Sequence, residues 1–175
     1  MTKGELEILV ASFRDNHLQS LVKSYGPGYL DFWSRVSFAD MEPVKTCHYV
    51  ILEKFLTARE GNVSQALDMF VNTLAWRWDY LKNNAVNNDT TSKVLDTVGF
   101  IHGQDRLGNP VTYNMYGALD VDSVFNDPNI GVDGFIRWRI DLMEKSLNLL
   151  DFNNSADSNK ITQVSDLWSS SIMVF

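Results

Sequence analysis

VGFIHGQDRLGNPVTYNMYG, residues 98–117, and FIRWRIDLMEKSLNLLDF, residues 135–152, decide the fold. The first stretch holds two runs of alternating apolar residues, 97–103 and 110–116, joined through Asp105–Asn109. Alternation with period two predicts half-buried strands, and a short glycine-containing connection predicts a hairpin. The second stretch changes period. Ile136, Ile140, Met143, Leu147 and Leu150 form one helical row over 133–150, which Phe135, Trp138, Leu142 and Leu149 widen. So broad an apolar face suits a helix packed on a sheet. Val121–Phe125 reads as a short apolar turn, and Lys160–Asp166 reads as a further strand.

Upstream of the hairpin the pattern is helical. Leu6, Leu9, Val10, Phe13, Leu18 and Leu21 recur near 3.6 residues over 3–24, until YGPGY at 25–29 breaks the run. Residues 29–38 fit either a short helix or a packed loop. Pro43 opens a helix over 44–58, with Val50, Ile51, Phe55 and Leu56 turned inward, and Gly61 ends it. Asn62 followed by Gln65 is a helix-start signature. Val63, Leu67, Phe70, Leu74, Trp78 and Leu81 then make one stripe. Residues 83–92, NNAVNNDTTS, are nearly devoid of apolar side chains and read as a linker. The expected division is a helical region at 1–82, the linker at 83–92, and a mixed strand–helix region at 93–175. This order predicts an α/β fold with an N-terminal helical subdomain.

The totals exclude several classes. A net charge of −7 and a pI near 4.8 argue against nucleic acid, whose phosphates need clustered Lys and Arg. Local basic patches can still meet a membrane surface. The single cysteine, Cys47, cannot make an internal disulfide, which fits a reducing compartment. MTKGELEILVASF carries Glu5 and Glu7 inside its apolar run and lacks a signal-peptide pattern. No window approaches the roughly 18 apolar residues of a spanning helix. The expectation is a cytoplasmic chain.

Few residues suggest covalent chemistry. Cys47 and His48 are adjacent, so on a helix they point about 100° apart, and neither His17 nor His102 has ligand spacing to them. Asp96, Asp105, Asp120, Asp122 and Asp127 fall in turns, where Asp bonds its local backbone. The glycines of HGQDRLGN lack the strand-then-helix setting of a phosphate loop. The expectation is a protein that is not an enzyme and holds no metal. The cations are more informative. Lys54 and Arg59 flank FLTA, Arg77 sits between two tryptophans, and Arg137 and Arg139 bracket Trp138. Arg77, Arg137 and Arg139 read as stems over aromatic surface with solvated heads. A buried cation would instead need an anionic partner, for which a phosphate is a natural candidate.

KFLTAREGNVSQALDMFVNTLAWR at 54–77 resembles the N-terminal helical signature of the CRAL-TRIO lipid-exchange family. DRLGNPVTYNMYG at 105–117 is similar to the hairpin that opens its lipid-binding domain. FIRWRIDLMEKSLNLLDF and ITQVSDL resemble the long helix and central strand that follow. The resemblance spans 44–168, and its wording looks most like a fungal phosphatidylinositol-transfer subgroup. It implies the first half of a mixed sheet with covering helices, and a pocket that holds one phospholipid as cargo. It also implies transfer between membranes, with transient membrane contact and a peripheral place at the endoplasmic reticulum.

The family's headgroup-associated basic residue falls on Lys54, which keeps the charge but not the fork of arginine. Polar positions of phosphatidylcholine-binding members fall on Thr112, Ile161 and Gln163. The tyrosine and the serine–threonine pair are not retained, which argues against choline-lipid recognition. Relatives thought to bind haem carry a His and a Tyr on the central strand. Here Ser165 and Leu167 stand there, which argues against haem. Family members continue roughly a hundred residues further. The resemblance therefore predicts a C-terminally truncated domain with an exposed sheet edge open to self-association. An interaction module or non-functional fragment is the alternative reading.

Overall fold

A computed structural model describes residues 3–33, 36–84, 95–153 and 159–168. Two units emerge, one from Met1–Val86 with Asp151–Ala156 and one from Asn87–Leu150 with Asp157–Phe175.

In the helical unit, α1 (Lys3–Phe13) passes through a π turn (Arg14–Leu18) into α2 (Gln19–Tyr25). Leu9, Val10, Phe13 and Leu18 are its buried side. Gly26 stops the run at φ +85°, a conformation that costs glycine little. The described residues that follow the short 3₁₀ turn Pro27–Leu30, 31–33 and 36–38, pack without an α-helix. They carry Phe32 and Phe38 inward to meet Phe70, with ring centroids 5.5 and 4.8 Å away. Phe13 and Phe55 close on the same ring at 4.9 and 5.1 Å.

Helix α3 spans Thr46–Ala58, two residues later than the pattern predicts. Lys45 is extended and serves as the N-cap, so Pro43, preceded by a cis peptide bond, lies outside the helix. Helix α4 (Val63–Asn84) opens as expected, with Asn62 Oδ1 accepting from the Gln65 N–H at 3.1 Å. Its buried row runs through Ala66, Phe70, Leu74 and Arg77, while Leu67 and Trp78 are only half-buried. The predicted linker starts inside α4 and from residue 85 onward lies outside the described residues.

The second unit is built on β1 (Gly99–Gln104), β2 (Pro110–Met115) and β3 (Thr162–Asp166), in that spatial order. β1 and β2 pair antiparallel, while β2 and β3 pair parallel. A parallel pair needs a long crossover. Here it includes α5 (Val121–Phe125) and α6 (Gly131–Leu147). The predicted turn at Val121–Phe125 is thus a short helix, because Asp120 caps it by accepting from the Ser123 N–H.

Helix α6 buries the end of the row its periodicity favours, Leu147 with Leu150 beyond it. Over its earlier turns it buries the widening residues Trp138 and Leu142 in place of Ile136 and Met143. Trp138, Leu142, Ser146 and Leu147 are buried, whereas Ile136 is 50% exposed and Met143 38%. The reason lies in β1. A Cβ on Gly99 would sit 2.8 Å from the Trp138 ring, so the missing side chain lets the indole lie against the strand. Leu95, Val98, Val124 and Ile130 complete this core around Trp138 and Leu142.

Candidate functional site

β2 sends Thr112 and Asn114 to one side of the sheet, and both are nearly fully buried. Asn114 pairs in register with Gly99, so this is the side that α6 covers. β3 sets Gln163 opposite Thr112 and Ser165 opposite Asn114. The predicted residues Thr112 and Gln163 are therefore neighbours, with Thr112 buried and Gln163 exposed. Ile161 lies half-buried just before β3. Thr112 Oγ1 donates to the Thr162 carbonyl at 3.4 Å.

A cation joins this strip from α6. Arg139 Nη1 donates to Asn114 Oδ1 at 2.5 Å, and Asn114 Nδ2 donates to Ser165 Oγ at 3.5 Å. The guanidinium carbon lies 5.5 Å from the Trp138 ring and 5.8 Å from the Tyr116 ring. A half-buried guanidinium anchored on a neutral amide keeps its full charge for an anion. Asn114 and Ser165 were not among the predicted site residues. Their signal was a polar residue at alternate positions, Thr112 and Asn114 on β2 and Gln163 and Ser165 on β3.

Lys54 belongs to the helical unit, where its Nζ lies 5.9 Å from the Phe152 ring centroid. Arg77 corrects the reading of a solvated head. It is 5% exposed, with its guanidinium carbon 5.1 Å from the Phe32 ring and 5.8 Å from Trp33. Packing of the loop at 29–33 over α4 buries it. Arg59, Met69, Asn72, Thr73 and Trp76 line a shallow groove of about 290 Å³ in the same unit.

Cys47 and His48 are not poised as nucleophile and base. His48 Nδ1 accepts from the Lys45 N–H at 3.1 Å, so its Nε2 carries the proton toward the Ser37 carbonyl at 3.0 Å. Burial lowers the His48 pKa and raises that of the Cys47 thiol. Both act as packed residues. His102 is an exposed residue of β1. Asp105 is a turn carboxylate held at about 2, chiefly by the Asn109 side chain and backbone. No helix among the described residues is long and apolar enough to cross a membrane.

A helical unit and a mixed sheet with a helix on one face are the architecture shared with Sfh5, a CRAL-TRIO fold, and the chain's homologues are Patellins and fungal phosphatidylinositol transfer proteins. It is 38% identical to Patellin-3 of Arabidopsis thaliana over 121 residues, covering 67% of this chain and 24% of the relative. It is 38% identical to phosphatidylinositol transfer protein SFH5 of Scheffersomyces stipitis over 130 residues, or 66% of this chain and 39% of that protein. The SFH5 of Debaryomyces hansenii is 40% identical over 129 residues, covering 66% and 37%. The crystal structure of Sfh5 matches 97% of this chain and 61% of its own, with a TM-score of 0.70 at 23% identity. That likeness establishes the fold. No family profile matches the chain. The chain thus spans between a quarter and two-fifths of these curated relatives.

Proposed function

We propose that the chain takes part in binding and transferring a phospholipid, phosphatidylinositol, without covalent chemistry. The observation that carries this reading is Arg139 beside Asn114, a cation on a polar strip within an apolar sheet–helix layer. A phospholipid has this mixed character, with a phosphate for the guanidinium and acyl chains for the surrounding apolar surface. Each buried methylene contributes about 0.8 kcal/mol. The names of the SFH5 relatives support the same cargo. Thr112 and Gln163 lie on this strip and are proposed as lipid-binding residues. Lys54, on the helical unit, is proposed as a lipid-binding residue from its place in the family's headgroup motif. The phospholipid is cargo, with no cofactor besides it.

Transfer requires transient contact with a membrane surface, proposed here from the cytoplasm at the endoplasmic reticulum. Self-association is proposed through β3, an edge strand of the sheet among the described residues. Native mass spectrometry of the purified chain, with lipid extraction from the same sample, tests the reading. One inositol phospholipid per folded monomer is the expected result. A folded chain free of lipid, even after incubation with phosphatidylinositol vesicles, would overturn it.

A further inference from the structure

We propose that Phe152 is a positioning residue for Lys54, holding its ammonium where an anionic headgroup can reach it. This rests on the proposed headgroup role of Lys54 and adds the device that places the charge. Lysine is a flexible cation, with about 2 kcal/mol of rotamer entropy to lose when it is fixed. The ring of Phe152 gives it a preferred seat, with Nζ 5.9 Å from the centroid. An aromatic face attracts an ammonium within about 6 Å.

The seat is itself anchored. Phe152 is 1% exposed and stacks on Trp33 at 6.2 Å and 26°. Trp33 in turn stacks on Phe55, the residue after Lys54, at 6.4 Å and 14°. The short turn holding Phe152 is closed by Asp151 Oδ1, which accepts from the Asn153 N–H at 2.9 Å. Although Phe152 lies far downstream in sequence, residues 151–156 belong to the helical unit. A segment following α6 therefore supplies the aromatic partner of a cation on α3. An aliphatic residue would fill the same space without a π face for the ammonium.

Replacing Phe152 by fluorinated phenylalanines weakens the ring's negative face while nearly preserving its shape. The variants are read by the Lys54 side-chain NMR shifts and by capture of phosphatidylinositol from mixed phosphatidylcholine vesicles. Lys54→Ala serves as the reference. The expected result is a graded change in the Lys54 shifts and a graded loss of capture. At trifluorophenylalanine the loss reaches about threefold, with melting temperature unchanged. Unchanged Lys54 shifts across the series overturn the positioning role, as does unchanged capture while Lys54→Ala abolishes it. If Lys54→Ala leaves capture intact while the shifts still respond, the headgroup role of Lys54 has failed. The proposal then falls with it, distinguishably from a failure of the seat.

Discussion

Asp105 Oδ2 accepts a hydrogen bond from Thr162 Oγ1 at 2.9 Å, tying the hairpin turn to the start of β3 across 57 positions of sequence. The other oxygen accepts from the backbone N–H groups of Leu107 and Asn109 at 2.8 and 2.9 Å. Asn109 Nδ2 donates to Oδ2 as well, and Asn109 Oδ1 accepts from the Lys160 N–H at 3.2 Å. One carboxylate thus organises the turn while helping to set where the parallel strand enters.

These donors hold the Asp105 pKa at about 2, below its ordinary value of 3.8. A depressed carboxylate favours the fold above its unfolded pKa, and the contribution declines as pH falls from there through about 2. In acid titrations monitored by circular dichroism, Asp105→Asn should flatten the loss of stability in that window. An unchanged acid profile would mean that the network contributes nothing measurable.

His48 titrates in a higher window. Burial lowers its pKa from 6.5 despite the opposing bond to the Ser37 carbonyl. The unfolded chain therefore binds the proton first, and stability is lost as pH falls below 6.5 through the folded value. His48→Ala should remove that dependence. It should also cost about 1–3 kcal/mol, because it strips a bond from the Lys45 N–H at the start of α3. Urea denaturation at pH 7 and at pH 5.5 separates the two effects.

The hairpin and β3 were legible in sequence because Phe100, Tyr113 and Val164 mark strands by type and spacing. The orientation of α6 was not. Ile136, Ile140 and Met143 form as good a stripe as Phe135, Trp138 and Leu142, and only the opposing strand decides between them. Gly99 favours the second stripe, since a Cβ there would meet the indole at 2.8 Å. Thr112 and Gln163 were singled out by the resemblance alone, and their adjacency became visible with β3 in register. The bond between Asn114 and Arg139 was not legible, because a contact across 25 positions leaves no local pattern. Arg77 was misread for the same reason, its burial being set by a loop more than forty residues upstream.

Gly99→Ala tests this account of α6. The added methyl would lie 2.8 Å from the Trp138 ring and 3.1 Å from Leu142 Cδ2. Both groups are buried and packed, so overpacking should cost about 1–3 kcal/mol. Replacing Trp138 by Leu in the same chain should recover part of that loss. A double-mutant cycle in urea checks it, and purely additive effects would show that Gly99 does not seat the indole.

Arg139→Gln and Lys54→Ala together test how charge enters lipid capture. Glutamine retains a donor for Asn114 Oδ1 but removes the cation, so Arg139→Gln should leave the β2 contact largely repaired. Lys54 is half-buried at the helix surface, where its loss should move folding stability by about 0.5 kcal/mol. A charge-assisted hydrogen bond to a phosphate contributes about 1.5–3 kcal/mol, so each variant should weaken phosphatidylinositol capture at least about tenfold. Lys54→Arg should preserve capture or tighten it, because the guanidinium adds a bidentate fork to the same charge. Equilibrium capture from vesicles, with melting temperatures on the same samples, separates binding from folding. Weakened capture at unchanged melting temperature supports both roles. Capture that survives the loss of either charge would end the lipid-binding role proposed for that residue, and a variant that unfolds would identify its charge as structural.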